Sequence, residues 1–328
     1  MKAFVLRSYG SLDARHLTEI DIPAPGPDEV LIRTYATSVQ PYDWHCAKGE
    51  PYVSRLMPGG LGLRKPPIDI LGADVAGRVE KVGRHVTEFL PGDEVYAMSK
   101  RGGFAEYVCV RESELAPKPR NLSYEQAAAV PMAANTALIA LRDVAQVQAG
   151  QKVLVNGASG GMGTFAVQLA KAFGAHVTGV CSDRNVDLVR SLGADEVVDY
   201  GKEDFTRNGQ RYDVLIDSAG SRPWSAYRRV MTRRGIIVPV GGPAGRWFSP
   251  AGRMMRAMAM APFIPQTLRL ADVVACKDNK RNLMLLTGLI EGGEVTPIIG
   301  RTFTFKEIPE AVAYSEEGHA TGKIVIAI

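Results

Sequence analysis

Cysteine is scarce in this chain: four in 328 residues, at positions 46, 109, 181 and 276, with no two close together. That spacing offers no CxxC pair and no zinc-knuckle pattern, and it suits reduced thiols in the cytoplasm rather than a disulfide framework. Histidine is nearly as sparse, five in all. No H-x-x-x-H spacing occurs and no histidine partners a serine elbow, so hydrolytic metal and triad chemistry have no residues to draw on. Long apolar runs are missing too. No uncharged stretch approaches the roughly 20 residues that cross a bilayer, and the opening MKAFVLRSYG lacks the apolar core of a signal peptide. The charge excess is small, +4, and the basic residues are scattered. Neither nucleic acid nor a membrane surface is expected as a partner. There is no internal repeat and no low-complexity segment.

What is present is ordinary globular material, 46% hydrophobic and 23% charged, in a length that predicts about two domains. The first third reads as short strands between Pro/Gly turns: Val30–Ile32, residues 74–83 broken at Gly77, a strand after the Pro-Gly-Asp turn at 91–93, and residues 104–110. Such strands suggest a small barrel or sandwich. From Ser123, a candidate helix N-cap, the pattern changes to an alanine-rich helix. Apolar strands then alternate with helical segments, which predicts a parallel sheet covered on both faces. The expected architecture is α/β: a β domain over 1–122 plus 297–328, and a doubly wound domain over 123–296. The strand ending the tail, Lys323–Ile328, is free to return to the β domain.

Residues 153–163, VLVNGASGGMG, carry the most information. A strand (Val153, Leu154, Val155) runs into a turn containing Gly157, Ser159, Gly160, Gly161, Met162 and Gly163, and helical spacing follows at Phe165, Leu169, Ala172 and Phe173. Strand, glycine turn and helix together let backbone approach a pyrophosphate and aim helix N–H groups at it.

Two further stretches are open. The loop 54–67 reads equally as a lid or an inert connector. The methionine-rich 254–263 suits an apolar substrate wall or a subunit contact, with core packing as the plainer reading.

The chain resembles the medium-chain dehydrogenase/reductase superfamily, nearest its zinc-independent quinone oxidoreductase branch. The resemblance lies in QPYDW (40–44), LGADVAGRVEKVG (71–83), PGDEV (91–95), AAAVPMAANTAL (127–138), VNGASGGMGTFAVQLAKAFGA (155–175), LGADEVVDY (192–200) and GHATGKIVI (318–326). It implies a GroES-like β domain beside a Rossmann domain, with the active site in the cleft between them. It also implies that Gln40 stands where zinc alcohol dehydrogenases have a cysteine ligand, and Ala73-Asp74 where they have a His-Glu pair. The structural zinc lobe is absent, so no metal is expected.

The cofactor expected is NADPH. The resemblance aligns Cys181 with the acid that binds a ribose 2′-hydroxyl in NAD-dependent relatives. A small neutral end to that strand leaves room for a 2′-phosphate, with Ser182 donating and Arg184 supplying charge. Asp183 remains an alternative ribose acid. Tyr200 matches a family tyrosine near the same phosphate, and Thr136 a family threonine near the nicotinamide. Asn135 is a candidate contact for the carboxamide, Gly241 and Gly242 for close approach to the ring, and Lys323 either reaches the cofactor or is solvated.

Without a zinc Lewis acid or a Tyr-x-x-x-Lys pair, reduction of a simple ketone lacks support for the alkoxide. Quinones and α,β-unsaturated carbonyls delocalise the new charge themselves, so a zinc-independent reductase of those substrates is expected. Tyr52 and Tyr42 are the candidate proton donors, each with packed tyrosine as the bland alternative; Asp43 is expected to orient loops and His319 to be structural. Two rival readings remain: an enoyl-thioester reductase, with Arg64-Lys65 and Arg253/Arg256 as a basic groove, and an NADPH-binding redox sensor or scaffold without turnover. A homodimer in the cytoplasm is expected.

Overall fold

One long strand, β3 (Glu29–Val39), organises the first of two compact units. That unit comprises Met1–Asn135, Val274–Gly293 and Pro297–Ile328; the second comprises Thr136–Val273 and Glu294–Thr296. The computed structural model describes the chain except residues 14–15, 56–68, 243–264, 272, 275 and 277, and only the backbone of Ser54. Most of the 54–67 loop, the methionine-rich 254–263, and Arg64, Lys65, Arg253 and Arg256 therefore lie outside the described residues.

In the first unit, β1 (Lys2–Phe4) and β2 (Leu17–Glu19) form a short antiparallel pair. The main sheet runs β14 (Ile299–Thr304), β15 (Lys323–Ala327), β3, β4 (Asp74–Val82), β5 (Glu94–Met98) and β7 (Leu115–Pro117), with β6 (Tyr107–Arg111) also on β3. β3 is shared along its length. Residues 29–33 pair with β6, and 36–39 pair with β15, the returning tail strand. Val30 and Ile32 of β3 join Val75, Val79, Val95, Val108 and Val110 in one buried cluster.

Two sequence expectations fail here. β4 is not broken at Gly77 but runs through it. β3 passes so close that a Cβ at Gly77 would lie 2.1 Å from the Arg33 carbonyl oxygen, so the glycine marks a backbone approach rather than an interruption. The strand at 104–110 is shorter than expected, beginning at Tyr107, with Ala105 making only an isolated bridge to Ala3.

Helix α1 (Pro41–Lys48) follows β3 directly. Ser123 does start a helix, α2 (Tyr124–Ala128). Its Oγ accepts from the Gln126 N–H at 3.3 Å, while the Gln126 side chain accepts from the Ser123 N–H at 3.0 Å. The expected single helix is divided, however. Pro131 has no N–H and disfavours helical backbone before it, and the chain restarts as α3 (Pro131–Leu138) before a π-helical turn, Ile139–Val144.

The second unit alternates strands and helices: β8 (Lys152–Asn156), α4 (Gly163–Ala172), β9 (His176–Cys181), α5 (Val186–Ser191), β10 (Glu196–Asp199), β11 (Tyr212–Asp217), α6 (Trp224–Arg229), β12 (Met231–Pro239) and β13 (Thr267–Leu268). Among the described residues the strands pair in parallel in the order β10-β9-β8-β11-β12-β13. The order reverses between β8 and β11, the switch point at which doubly wound sheets bind ligands. Val153–Val155 and Val214–Ile216 are wholly buried, which is why both strands are unbroken apolar runs. No helix among the described residues is long and apolar enough to cross a membrane.

Candidate active site

In the second unit, the C-terminal ends of the parallel strands collect most of the expected cofactor residues. β8 ends at Asn156, and Gly157 turns the chain with φ +89°. The Gly157 and Ala158 N–H groups both donate to the Val180 carbonyl, 3.1 and 2.9 Å, pinning the turn to β9. A Cβ on Gly157 would sit 2.4 Å from Ser218 Oγ, and one on Gly163 only 2.0 Å from the Gly157 carbonyl oxygen. Gly163 is the first residue of α4, so hydrogen alone allows the helix to begin against the turn. At Gly160 an added Cβ would find nothing nearer than the Gly157 oxygen at 3.4 Å, which leaves its other side open. Gly161 and Met162 complete the turn, with half-buried side-chain positions.

Behind the turn lies a buried polar network that sequence reading did not identify. Asn156 Nδ2 donates to Asp217 Oδ1 (2.8 Å), and Asp217 Oδ1 also accepts from Tyr227 Oη (3.0 Å) and the Gly220 N–H (2.9 Å). The Asp217 carbonyl accepts from Val240 N–H (2.8 Å) and Gly241 N–H (3.2 Å). The ends of β8, β11 and β12 are thereby tied together. A Cβ on Gly241 would lie 2.5 Å from the Ser218 carbonyl oxygen, so this glycine is needed for backbone packing as well as for any approach to a ring; Gly242 follows it.

Ser182 and Tyr200 follow the adjacent strand ends. Tyr200 donates its N–H to the Cys181 carbonyl (3.1 Å) and exposes 54% of its surface, so it does not serve as a packed cap. Cys181 is buried, and that burial, then the Asp199 charge, pushes its thiol up to about 11, so it stays neutral. Asp183, the alternative ribose acid, is ion-paired with Lys202, which also reaches Asp199. Arg184 is exposed beside it. Ser159 and Ser182 are brought together by a residue the sequence reading passed over: Asn185 Nδ2 donates to both hydroxyls, at 3.1 and 3.2 Å.

Thr136, in α3, is the first residue of the second unit and 8% exposed. Its neighbour Asn135 belongs to the first unit and is fully buried. The Asn135 amide donates to Asn279 Oδ1 (2.9 Å) and accepts from Asn282 Nδ2 (2.7 Å), both on α7 (Asn279–Glu291). That corrects its expected role, because an amide with no exposed surface is not presented to a carboxamide.

The first unit holds the two tyrosines. Tyr42 stands in the first turn of α1, half-buried. Burial, then the neighbouring Cys46 and Asp43, holds its hydroxyl well above the ordinary tyrosine range. Tyr52 lies past the end of α1 in a one-turn helix, Tyr52–Arg55. The Arg55 guanidinium covers its ring at 4.7 Å and the Tyr9 ring at 4.0 Å, while donating to the Gly49 and Lys48 carbonyls at 2.7 Å each. Tyr52 is thus part of a cation–π tie around the end of α1.

Beneath α1 is a buried charged cluster. Asp43 Oδ2 accepts from the Gln40 N–H (2.7 Å) and Oδ1 from the Gly72 N–H (3.0 Å), the loop-orienting role expected of it. Asp74 Oδ2 accepts from Ser38 Oγ (2.8 Å) and Gln40 Nε2 (2.5 Å), and Oδ1 from the Met132 N–H (2.9 Å). Lys323 is 3% exposed, so the reading as a solvated lysine fails. Burial pushes its ammonium down to about 8 against the charges of Asp74 and Asp43. Burial likewise pushes Asp43 up to about 7 and Asp74 up to about 6, opposed by the hydrogen bonds just named.

Known proteins give this arrangement its context. Residues 26–120 match the family described as alcohol dehydrogenase GroES-like domain, and residues 192–326 the one described as zinc-binding dehydrogenase. The quinone-oxidoreductase QR1, chloroplastic, of Triphysaria versicolor is 34% identical over 99% of this chain and 98% of its own length. The mitochondrial NAD(P)H oxidoreductase RTN4IP1 of Mus musculus is 32% identical over 100% of this chain and 89% of its own. The solved quinone oxidoreductase from Coxiella burnetii superposes with a TM-score of 0.82 at 28% identity, covering 100% and 99% of the two chains. A parallel sheet in dinucleotide-binding order, a GroES-like β unit and full-length kinship make this chain a member of the medium-chain dehydrogenase/reductase superfamily, an NAD(P)H-binding oxidoreductase of the quinone oxidoreductase branch.

Proposed function

We propose that the protein is a zinc-independent, NADPH-dependent reductase of quinones or α,β-unsaturated carbonyls. The observation that carries the zinc-free chemistry is the side-chain amide of Gln40. Its nitrogen donates to Asp74 and Ser38 (2.5 and 2.9 Å), so that half of the amide is spent on hydrogen bonds and ties up the Asp74 carboxylate, and the position supplies no thiolate. Among the described residues no group of three or more His, Cys, Asp or Glu could hold a metal ion. The donor set does not fit zinc, whatever the description of the matched family.

The glycine turn does fit a nicotinamide dinucleotide, which when bound supplies the hydride. Gly157, Gly160, Gly161 and Gly163 with Ser159 and Met162 would hold the pyrophosphate. Ser182, Arg184 and Tyr200 would hold the 2′-phosphate. A neutral Cys181 and an Asp183 paired with Lys202 support the phosphorylated cofactor, since neither offers an uncommitted carboxylate to a bare ribose. Thr136, Gly241 and Gly242 would line the nicotinamide end. Lys323 and Asn135 act in the first unit's interior instead.

Tyr42 is the favoured proton donor. Its hydroxyl stays protonated throughout the working pH range and would turn from its hydrogen bond with Cys46 to a phenolate or enolate oxygen. Tyr52, bound up with Arg55, ranks second. The reading also places the enzyme in the cytoplasm as a homodimer. The four separated thiols support the first, and β13, at the end of the parallel sheet among the described residues, supports the second as an edge for pairing.

The test is turnover. Purified protein with NADPH should consume the cofactor when given quinones or enones, with kcat/KM at least tenfold higher than for NADH, and chelators should not slow it. Cofactor binding without turnover on any acceptor would overturn the reading, and turnover confined to crotonyl thioesters would convert it to an enoyl-thioester reductase.

A further inference from the structure

Asn185 sits between the two hydroxyls of the proposed cofactor site and is itself only 7% exposed. Ser159 comes from the glycine turn and Ser182 from the end of β9, and both are half-exposed. Asn185 Nδ2 donates to Ser159 Oγ at 3.1 Å and to Ser182 Oγ at 3.2 Å. No other side-chain bond to either hydroxyl occurs among the described residues. An amide nitrogen carries two hydrogens and accepts nothing, so it can occupy an acceptor position on both oxygens at once. A serine that accepts from a buried donor keeps its own hydrogen, free to point to the open side.

We propose that Asn185 fixes the polarity of Ser159 and Ser182 so that both donate outward, making it a positioning residue that selects the phosphorylated cofactor. The proposal rests on reading Ser182 as a partner of the 2′-phosphate. The pyrophosphate that Ser159 would face is common to both cofactors, so the discrimination comes through Ser182: a phosphate dianion only accepts hydrogen bonds and gains from a fixed donor, whereas a ribose hydroxyl takes either polarity. The selection is therefore built below the surface, by a residue that need not touch the cofactor. The one-turn helix Asp183–Asn185 fixes the position, its backbone N–H at Asn185 donating to the Ser182 carbonyl at 2.9 Å.

Dissociation constants of NADPH and NADH, measured by calorimetry on the full chain, test this with Asn185→Ala, Ser182→Ala and the double variant. Asn185→Ala should weaken NADPH roughly tenfold more than NADH, the loss of one charge-assisted bond to the 2′-phosphate through Ser182, while any loss through Ser159 is shared by both cofactors. In the Ser182→Ala background most of that loss should vanish, because the hydroxyl to be oriented is gone. Equal weakening of both cofactors, or a loss that adds in full to that of Ser182→Ala, overturns the proposal and leaves the Ser182 reading intact. If Ser182→Ala leaves the NADPH-to-NADH ratio unchanged, that reading falls and the proposal with it. Should Asn185→Ala not fold, Asn185→Thr, which keeps polarity but not two donors, carries the same comparison with the same outcomes.

Discussion

Gly163→Ala and Gly160→Ala should fail in opposite ways, although the two glycines are three residues apart in one turn. At Gly163 the added methyl would stand 2.0 Å from the Gly157 carbonyl oxygen and 2.9 Å from the Ala158 Cα. Both neighbours are backbone, so relief requires the start of α4 to move by about an ångström, a strain that typically costs about 1–3 kcal/mol. For a chain of this size that corresponds to a fall in Tm of roughly 1.5–4.5 °C. At Gly160 the nearest atom is 3.4 Å away, an ordinary contact, and the residue is not among the glycines with positive φ. Alanine there should leave Tm unchanged or raise it slightly, by about 0.4–1 kcal/mol in stability. Its methyl projects into the open side of the turn, so dinucleotide affinity should fall at least tenfold. Differential scanning calorimetry without cofactor and fluorescence titration with NADPH separate the two effects. An unchanged Tm in Gly163→Ala, or unchanged affinity in Gly160→Ala, would refute the assignment of one glycine to packing and the other to the ligand.

Tyr42→Phe should lower kcat by roughly 100-fold or more with KM for NADPH unchanged, and Tyr52→Phe by no more than about threefold; steady-state kinetics on a quinone check both. Arg55→Ala should reduce Tm while sparing NADPH affinity, since it unties Tyr9, Tyr52 and the end of α1. Asp43 and Asp74 titrate above their unfolded range, so the folded chain holds more protons than the unfolded one between about pH 4 and 7, and this cluster's contribution to stability falls across that window. Lys323→Met should then be mild at pH 5, where the carboxyls are largely neutral, and cost about 3–5 kcal/mol near pH 7.5, where they are left unpaired. Chemical denaturation at the two pH values decides it, and an equal loss at both would count against the cluster.

The parts of this molecule that sequence makes legible are those whose cause is local. β8, its turn and α4 follow from an apolar run, glycines and helical spacing within about twenty residues, and the Ser123 cap from a hydroxyl three positions before a glutamine. β14 went unread because its alternation is faint: of Ile299–Thr304 only Phe303 is buried. The polar interior was less legible still. Asn135 finds its partners 144 and 147 residues away, and Lys323 meets the charges of Asp43 and Asp74 across most of the chain. Type and neighbours alone gave Lys323 two readings, solvated or cofactor-bound, and neither includes a buried lysine facing two acids. Asn185 left a faint signal, an asparagine just after a strand end rich in small polar residues, but its second partner lies on another loop.

The sharing of β3 between β6 and β15 has a bearing on biosynthesis. The half of β3 that ends at Val39 waits for a partner made about 280 residues later. At roughly 5–20 residues per second, ribosomes leave that ribbon edge bare for some 15–60 s. A nascent chain in this condition is a target for stray strand addition, so holdase chaperones should engage the emerging N-terminal region well before the Rossmann half, which can close on its own.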